Sequence, residues 1–260
     1  MSDIKLHEVL QFVESLLNKT ETIINSYYRN FETIDFKQDE SPVTIADKEV
    51  EMELRRLIKA QYPHHSIQGE EFGIENNGDE YQWIIDPIDG TASFMIGRPI
   101  FGTLLALKHK DEVLLGCINQ AITKERWLGV KGLGTRFNGN KVRVRNCFEL
   151  NKAVLCTTGP NYYNAPKLLA FNEVAKQAKW TVYGGDCYNF GLLTMGFVDV
   201  VIEAGLKQHD FFPLKVLVEE AGGVITDWSG ASITSQTTGD IVASGSREVH
   251  EEVLKILSIL

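Results

Sequence analysis

An apolar segment of this 260-residue chain leads directly into two aspartates. Residues 81–85 are too apolar for the edge of a sheet, so they predict a buried strand that carries Asp86 to the sheet's end, where ligands tend to bind. Asp89 follows three residues later, and Gly90 lets the backbone approach a ligand closely. Thr91 can open a short helix whose free amides would point at an anion. One segment therefore combines carboxylates for a cation with amides for an anion.

An Asp-x-x-Asp-Gly sequence by itself is more typical of an ordinary turn. Two further acidic segments favour a site, because Glu70 and Glu71 follow a predicted short strand and Asp210 precedes an apolar helix. Carboxylates brought within about 4 Å repel by roughly 4 kcal/mol per pair at an effective dielectric constant near 20, and a divalent cation removes that repulsion. Oxygen ligands without a His or Cys pattern favour Mg²⁺ over Zn²⁺, and the spacing is not that of a Ca²⁺-binding EF-hand. We therefore predict a magnesium site.

Four segments, in order and over nearly the whole chain, carry a resemblance: Ser41-Pro-Val-Thr-Ile-Ala-Asp47, Gly69-Glu70-Glu71, Asp86-Pro-Ile-Asp-Gly-Thr91, and Asp210 with Ala221-Gly222-Gly223. They resemble the inositol monophosphatase family of Mg²⁺-dependent, typically lithium-sensitive phosphomonoesterases. This family usually has Trp where the chain has His209. The resemblance implies an α+β fold, built as a layered α/β/α/β/α sandwich, and a homodimer.

The resemblance also assigns roles, with two or three Mg²⁺ ions per site. The implied metal ligands are the carboxylates and one carbonyl of Glu70, Asp86, Ile88, Asp89 and Asp210. Glu70 and Thr91 would orient a water for in-line attack, and Asp47 would hold Thr91 or water. Asp47 taken alone equally suits the start of a helix. The amides of Gly90 and Thr91 would bind the phosphate, and no phosphoaspartate is implied, because that route would want Asp-x-Asp after a strand.

Three other stretches, residues 184–188, 196–199 and 203–211, resemble the histidinol-phosphate phosphatases of the family more than its inositol phosphatases. Histidinol phosphate carries an ammonium and an imidazole, and a carboxylate within about 4 to 6 Å favours such charge. We predict that Asp186 and Glu203 bind this substrate, together with Asp89 and Asp210. The alternatives are a loop cap for Asp186 and a surface charge for Glu203.

Departures from that branch concern the substrate rather than the chemistry. Ala92 stands where the branch often has Lys, and Phe212-Pro213-Leu214 replaces the usual small residues. An inositol 1-phosphate or broad sugar-phosphate phosphatase is therefore the alternative enzyme. A protein partner of the transcription machinery, a role that some family members also have, is the alternative outside enzymes.

Composition agrees with an intracellular enzyme, and the resemblance implies that its partner is a small phosphate ester. With 43% apolar and 23% charged residues and no linker, residues 1–260 predict one domain, or two tightly packed lobes at roughly 1–145 and 146–260. A net charge of −9 argues against nucleic acid and anionic membrane surfaces as partners. The N-terminus lacks a signal peptide and no apolar run approaches a membrane span, which predicts a cytoplasmic protein. The four cysteines lack Cys-x-x-Cys spacing, so we expect them reduced and mostly buried.

Hydrophobic periodicity and turn residues predict the secondary structure. Helices are expected at residues 4–30, 44–60 (with a capping box of Thr44 and Asp47), 166–178, 190–196 and 211–221. Strands are expected at 81–85, 101–107, 112–120, 126–130, 141–144, 153–157, 180–183, 198–203 and 224–226, with a hairpin near Gly132 and Gly134. His64 and His65 are predicted to be solvated, as is the basic run at 143–145.

Overall fold

The computed structural model describes residues 6–30, 34–36 and 42–258. Within those ranges it has seven α-helices: α1 (Leu6–Tyr27), α2 (Ile45–Gln61), α3 (Thr91–Met95), α4 (Ala165–Gln177), α5 (Asp186–Thr194), α6 (Gln208–Glu220) and α7 (Arg247–Leu257). The strands are β1 (Ile34–Phe36), β2 (Pro42–Thr44), β3 (Ser66–Gly69), β4 (Gly73–Glu75), β5 (Tyr81–Asp89), β6 (Gly102–His109), β7 (Glu112–Gln120), β8 (Glu125–Val130), β9 (Gly134–Phe137), β10 (Asn140–Lys141), β11 (Val154–Thr157), β12 (Trp180–Tyr183), β13 (Val200–Glu203), β14 (Val224–Asp227) and β15 (Ile241–Ser244).

Two large sheets organise the described residues. The eight-stranded sheet has the order β10-β9-β8-β7-β6-β5-β3-β4, and the five-stranded sheet has the order β12-β11-β13-β15-β14. β5 lies inside the larger sheet, parallel to β3 and antiparallel to β6. A small ribbon of β1 and β2 completes the strands. The prediction that residues 81–85 form an internal strand is therefore confirmed.

The layers follow from which side chains each sheet face buries. Along β5, Trp83 and Ile85 pack with α1 and α2, while Ile84 packs with α5 and α6 on the opposite face. This alternation is the expected consequence of the two-residue period of a strand. α4 and α7 cover the outer face of the five-stranded sheet. The order helices, sheet, helices, sheet, helices confirms the predicted α+β sandwich.

α6 approaches the eight-stranded sheet closely because two glycines face it. Gly116 of β7 and Gly129 of β8 are cross-strand partners. A Cβ at Gly116 would lie 2.2 Å from the carbonyl oxygen of Pro213, and one at Gly129 would lie 2.9 Å from Cα of Leu217. Any larger residue would push α6 outward. The glycine pair therefore sets the depth of the helix that carries Asp210.

Several element boundaries differ from the predictions. α5 begins at Asp186 and α6 at Gln208, four and three residues before the predicted starts, and β15 and α7 were not predicted. The predicted strand at residues 141–144 ends at Lys141, because the amide of Val144 donates to the carbonyl of Ala221 at 3.1 Å instead of to a strand. The predicted capping box at Thr44 lies outside the described side chains.

The prediction of a solvated His pair is wrong for His65. His65 is 8% exposed, and its ring stacks on the rings of Tyr62 and Tyr81, with centroids 4.7 Å and 5.0 Å away. Nε1 of Trp83 donates a hydrogen bond to its Nδ1 at 3.1 Å. Burial lowers the pKa of His65, which keeps the ring neutral. His65 is therefore a core residue, whereas His64 is exposed as predicted.

The basic run at residues 143–145 is solvated as predicted, since Arg143 and Arg145 are exposed, but it does not form a strand. Arg145 donates two hydrogen bonds to the fully buried carboxylate of Asp199, at 3.0 Å and 2.5 Å. Such bidentate pairing stabilises a buried charge. All four cysteines, which lie in the described part of the chain, are free and buried, as predicted. Among the described helices, none is long and apolar enough to cross a membrane.

We expect Gly116→Ala to destabilise the protein by about 1–3 kcal/mol, because the added methyl group meets the backbone of α6. Chemical denaturation measures this change. Gly159→Ala is the matched control, since Gly159 has an extended φ of 167° and nothing within 4 Å of the added Cβ. We expect the control to stay within about 0.5 kcal/mol of the unsubstituted protein. Equal stability of the two variants would contradict the close packing of α6.

Candidate active site

An irregularity at the end of β5 brings Asp86 and Asp89 to the same side of the strand. Asp86 pairs with Leu104 and Asp89 with Gly102, so β5 has one residue more than β6 between these pairs. In a regular strand, residues three apart face opposite sides, and an inserted residue reverses that relation. The amide of Ile88 donates to Oδ1 of Asp86 at 3.0 Å, which fixes the bulge. Both aspartates line one cavity as a result.

Gly90 connects this bulge to α3. Its φ of 84° is left-handed, and a Cβ there would lie 2.9 Å from a carboxylate oxygen of Asp186. Glycine is therefore required for both conformation and space. The Thr91 hydroxyl donates to the carbonyl of Ile88 at 3.0 Å, and both Gly90 and Thr91 line the cavity. The predicted short helix at Thr91 is confirmed by α3.

Glu70 and Asp210 reach the aspartates from two other parts of the chain. β3 runs parallel to β5, and the amide of Glu70 donates to the carbonyl of Ile85 at 3.2 Å, so Glu70 lies beside Asp86. Asp210 occupies the first turn of α6, where the Lys207 amide donates to its Oδ2 at 2.7 Å. The helix start is thus fixed by the same carboxylate that faces the cavity.

The ligand atoms of these residues converge. One oxygen each from Asp86, Asp89 and Asp210 lie within 4.8 Å of one another. The same holds for an oxygen of Glu70, an oxygen of Asp86 and a ring nitrogen of His209. The acids predicted from the sequence to be metal ligands therefore lie next to one another. A group of hard oxygen donors such as this one fits Mg²⁺.

Electrostatics oppose this convergence in the protein alone. Burial raises the pKa of Asp86 well above its usual value, and the charges of Glu70, Asp89, Asp210 and Asp47 raise it further. For Asp89 burial is again the main cause, and the neighbouring Asp186 adds to it. Burial also raises the pKa of Asp210. A positive charge in the cavity would reverse these shifts.

Asp47 lies in the first turn of α2 and is 1% exposed. Its effect on the pKa of Asp86 places it near the acidic cluster. The prediction that Asp47 lies at the start of a helix is therefore confirmed. The predicted contact of Asp47 with Thr91 stays a prediction.

Asp186 and Glu203 line the same cavity of about 250 Å³. Asp186 has a left-handed φ of 45°, and its Oδ2 accepts a hydrogen bond from the Ser93 hydroxyl at 3.1 Å. Glu203, at the end of β13, is 2% exposed and accepts hydrogen bonds from the amide and hydroxyl of Thr158 at 2.7 Å and 3.0 Å. The alternative of a surface charge is therefore wrong for Glu203.

Burial raises the pKa of Glu203 to about 8, although the hydrogen bonds from Thr158 lower it. Burial also raises the pKa of Asp186, and the Ser93 hydroxyl opposes that change. Among the described residues, six carboxylates and the cation Lys207 line the cavity. The lining therefore strongly favours cations.

Sequence reasoning missed some of the lining. Thr158 directly follows β11, and Asp86 likewise lies near the end of β5. The position of Thr158 just after a predicted strand could therefore have marked it as a residue of the site. Tyr162 lies in a 3-10 turn (Pro160–Tyr162) that no sequence feature marked. His209 lines the cavity and is 8% exposed.

Comparison with known proteins matches nearly the whole chain to one family. Residues 5–260 match the model of the inositol monophosphatase family. The chain is 40% identical, over 99% of its length and 77% of the relative's, to a protein of Arabidopsis thaliana named bifunctional phosphatase IMPL2, chloroplastic. It is 32% identical to a histidinol-phosphatase of Chlorobaculum parvum, over 85% of this chain and 86% of the relative. It is also 32% identical to the Nus factor SuhB of Vibrio cholerae, over 94% of each chain.

Among solved structures, an inositol monophosphatase from Zymomonas mobilis has the same fold. The TM-score is 0.89 at 37% sequence identity, and the match covers 98% of this chain and 100% of that one. The match of sequence and of fold therefore extends over nearly the whole chain. This chain therefore belongs to the inositol monophosphatase family and is a phosphatase of that family.

Proposed function

We propose that this phosphatase is a Mg²⁺-dependent phosphomonoesterase whose substrate is L-histidinol phosphate, an intermediate of histidine biosynthesis. The convergence of Asp86, Asp89 and Asp210 carries the metal part of the proposal, because ionised oxygens within 4.8 Å of one another repel and a cation between them removes that repulsion. The additional acids Asp186 and Glu203 in the same cavity carry the substrate part.

Two or three metal ions are proposed. Glu70, Asp86 and the Ile88 carbonyl would hold one, and Asp86, Asp89 and Asp210 would hold a second. Bound Mg²⁺ would supply positive charge for the phosphate oxygens and would activate water. The His209 ring nitrogen lies 3.4 Å from Oδ1 of Asp210, so we assign His209 to orienting that carboxylate rather than to metal binding.

The protein's own groups place the reactants. Glu70 accepts a proton from the attacking water, and the Thr91 hydroxyl, held by the Ile88 carbonyl, orients that water. The amides of Gly90 and Thr91 bind the phosphate, and Asp47 supports the position of Thr91. Attack at phosphorus forms one P–O bond as the ester P–O bond breaks; the leaving alkoxide takes a proton from solvent, and Glu70 returns its proton to solvent.

We expect Asp86→Asn to abolish activity and to stabilise the metal-free protein. Several kcal/mol of charge stabilisation depends on this ligand, so kcat/KM should fall by at least about 100-fold. Without metal, removal of the repelling carboxylate should raise Tm by about 2–4 °C or more, because Asn can still accept the Ile88 hydrogen bond. Thermal unfolding in EDTA and phosphate release with Mg²⁺ measure both effects.

The control for this variant is Asp111→Asn, at an exposed position between β6 and β7. It should change neither activity nor Tm. If metal-free Asp86→Asn had a lower Tm than the metal-free unsubstituted protein, repulsion among the carboxylates would not be the main effect of Asp86 on stability. Full activity in EDTA would overturn the metal dependence.

The substrate proposal follows from charge. Histidinol phosphate carries cationic groups, and a carboxylate left unpaired with a neutral ligand discriminates against that ligand. Glu203 is buried at one wall of the cavity, and Asp186 lies beside Gly90, next to the proposed phosphate amides. The 32% identity to a histidinol-phosphatase supports the same choice. Inositol 1-phosphate, or a sugar phosphate, is the alternative substrate.

Asp186→Asn and Glu203→Gln should each lower kcat/KM for L-histidinol phosphate by about 10- to 100-fold, the amount expected for one lost charged hydrogen bond. Activity on myo-inositol 1-phosphate should change less, because its ring is neutral. Phosphate release from both substrates, measured side by side, tests this. Glu149→Gln, at an exposed position, is the matched control. Equal losses on both substrates would refute the assignment of these acids to substrate choice.

The raised pKa of Glu203 also predicts a pH dependence of stability. A carboxyl whose pKa is about 8 when folded and near 4.5 when unfolded binds more protons in the folded state between these values. Its contribution to stability is therefore present below pH 4.5 and is lost as pH rises through 8. In EDTA, we expect Glu203→Gln to gain stability relative to the unsubstituted protein between pH 5 and pH 9. A constant difference across denaturation curves in this range would contradict the shift.

A second candidate role is that of a protein partner of the transcription machinery. It is supported by the 32% identity to a relative named a Nus factor. A pull-down from lysate with the tagged chain tests it, and failure to retain transcription proteins would remove it. The cytoplasmic location and the homodimer stay predictions from sequence and resemblance.

A further inference from the structure

Glu51 is a fully buried carboxylate in α2, one turn after Asp47. It is not among the residues that line the cavity. A buried carboxylate is costly unless several donors satisfy it. The contacts of Glu51 therefore indicate what it stabilises.

Its donors include the turn that follows Glu70. The amide of Glu71 donates to one carboxylate oxygen at 2.7 Å, and the amide of Phe72 donates to the other at 3.2 Å. Nε of Arg55, on the same helix, donates to that second oxygen at 2.8 Å. Hydrogen bonds from amides and a guanidinium to a carboxylate are short and strong. The backbone directly after Glu70 is thus fixed to α2.

The backbone of Glu70 itself is fixed on the other side. Its amide donates to the carbonyl of Ile85, the residue before Asp86. Arg55 also donates to the carbonyl of Gly73 at 2.5 Å, so α2 holds the far end of the same turn. Glu70 therefore lies between two anchors, one on β5 and one on α2.

Gly69 shows how closely these parts approach. A Cβ at this position would lie 1.9 Å from Oε1 of Glu51, so no side chain fits between the turn and the carboxylate. Its φ is not in the left-handed region, which means that space alone requires glycine here. The glycine that precedes Glu70 in the sequence is thus explained by Glu51.

We propose that Glu51 is a positioning residue for metal binding, which fixes the backbone of Glu71 and Phe72 and thereby holds the Glu70 carboxylate beside Asp86. This inference rests on the metal role proposed above for Glu70. Glu51 acts through backbone hydrogen bonds and does not contact the metal. Partners that orient metal ligands typically contribute about 10- to 100-fold to metal affinity.

Glu51→Gln tests the proposal, because Gln keeps the volume but turns an NH₂ group toward donors. Calorimetric titration of the metal-free protein with Mg²⁺, without substrate, should show an affinity about 10- to 100-fold lower than that of the unsubstituted protein. Saturating Mg²⁺ should restore most of kcat, since the groups that bind phosphate and water are unchanged. Glu53→Gln, which removes only an outer ion pair of α2 with Arg56, should leave the affinity unchanged.

The outcomes separate this proposal from the proposed function. If the unsubstituted protein binds no Mg²⁺, the proposed metal-dependent function is wrong, and the role of Glu51 is overturned with it. If Glu51→Gln folds and binds Mg²⁺ as tightly as the unsubstituted protein, only the positioning role is overturned.

A second variant decides the case in which Glu51→Gln does not fold. Arg55→Lys keeps the charge but cannot contact both Glu51 and the Gly73 carbonyl, so we expect a several-fold lower Mg²⁺ affinity in a folded protein. An unchanged affinity of Arg55→Lys would then overturn the proposal.

Discussion

Repulsion among convergent carboxylates is the interaction on which the rest of this structure depends. Asp86, Asp89 and Asp210 come from two elements far apart in the chain, and their oxygens lie within 4.8 Å of one another. Burial weakens solvent screening, so each charge raises the pKa of its neighbours. The packing around the cavity must supply the stability that this cluster removes. The chain belongs to a phosphatase family, and its acids are arranged as metal ligands would be. We infer that the protein tolerates this loss of stability because the acids serve metal-assisted phosphate chemistry.

Specific backbone contacts fix the position of each acid that lines the cavity. A bulge in β5 turns Asp86 and Asp89 to one side, and a glycine pair under α6 sets the depth of Asp210. Hydrogen bonds from the backbone after Glu70 reach the buried carboxylate of Glu51. Each of these features fixes the backbone near an acid that lines the cavity.

Much of the fold and of the acidic cluster could be predicted from sequence. The apolar run before Asp86 indicated an internal strand, and the spacing of acids indicated hard-oxygen metal ligands. The errors came where tertiary contacts overrule local pattern. His65 looks solvated beside His64 and Pro63, yet its ring stacks between Tyr62 and Tyr81. The basic run at residues 143–145 resembles a strand, yet Arg145 pairs with buried Asp199 and the chain there forms no strand.

The sequence by itself determined three features: the strand before Asp86, the turn and short helix at Gly90 and Thr91, and the family to which the chain belongs. These features depend on residue types at short spacing. Only the tertiary structure decided that Glu203 is buried, that Asp186 lies against Gly90, and that Glu51 serves the turn after Glu70. The contacts involved join residues far apart in the chain: 20 positions separate Glu51 from Glu71, 45 separate Thr158 from Glu203, and 93 separate Ser93 from Asp186. The physical reason is that burial, close approach and charge coupling arise from packing, which local sequence does not encode.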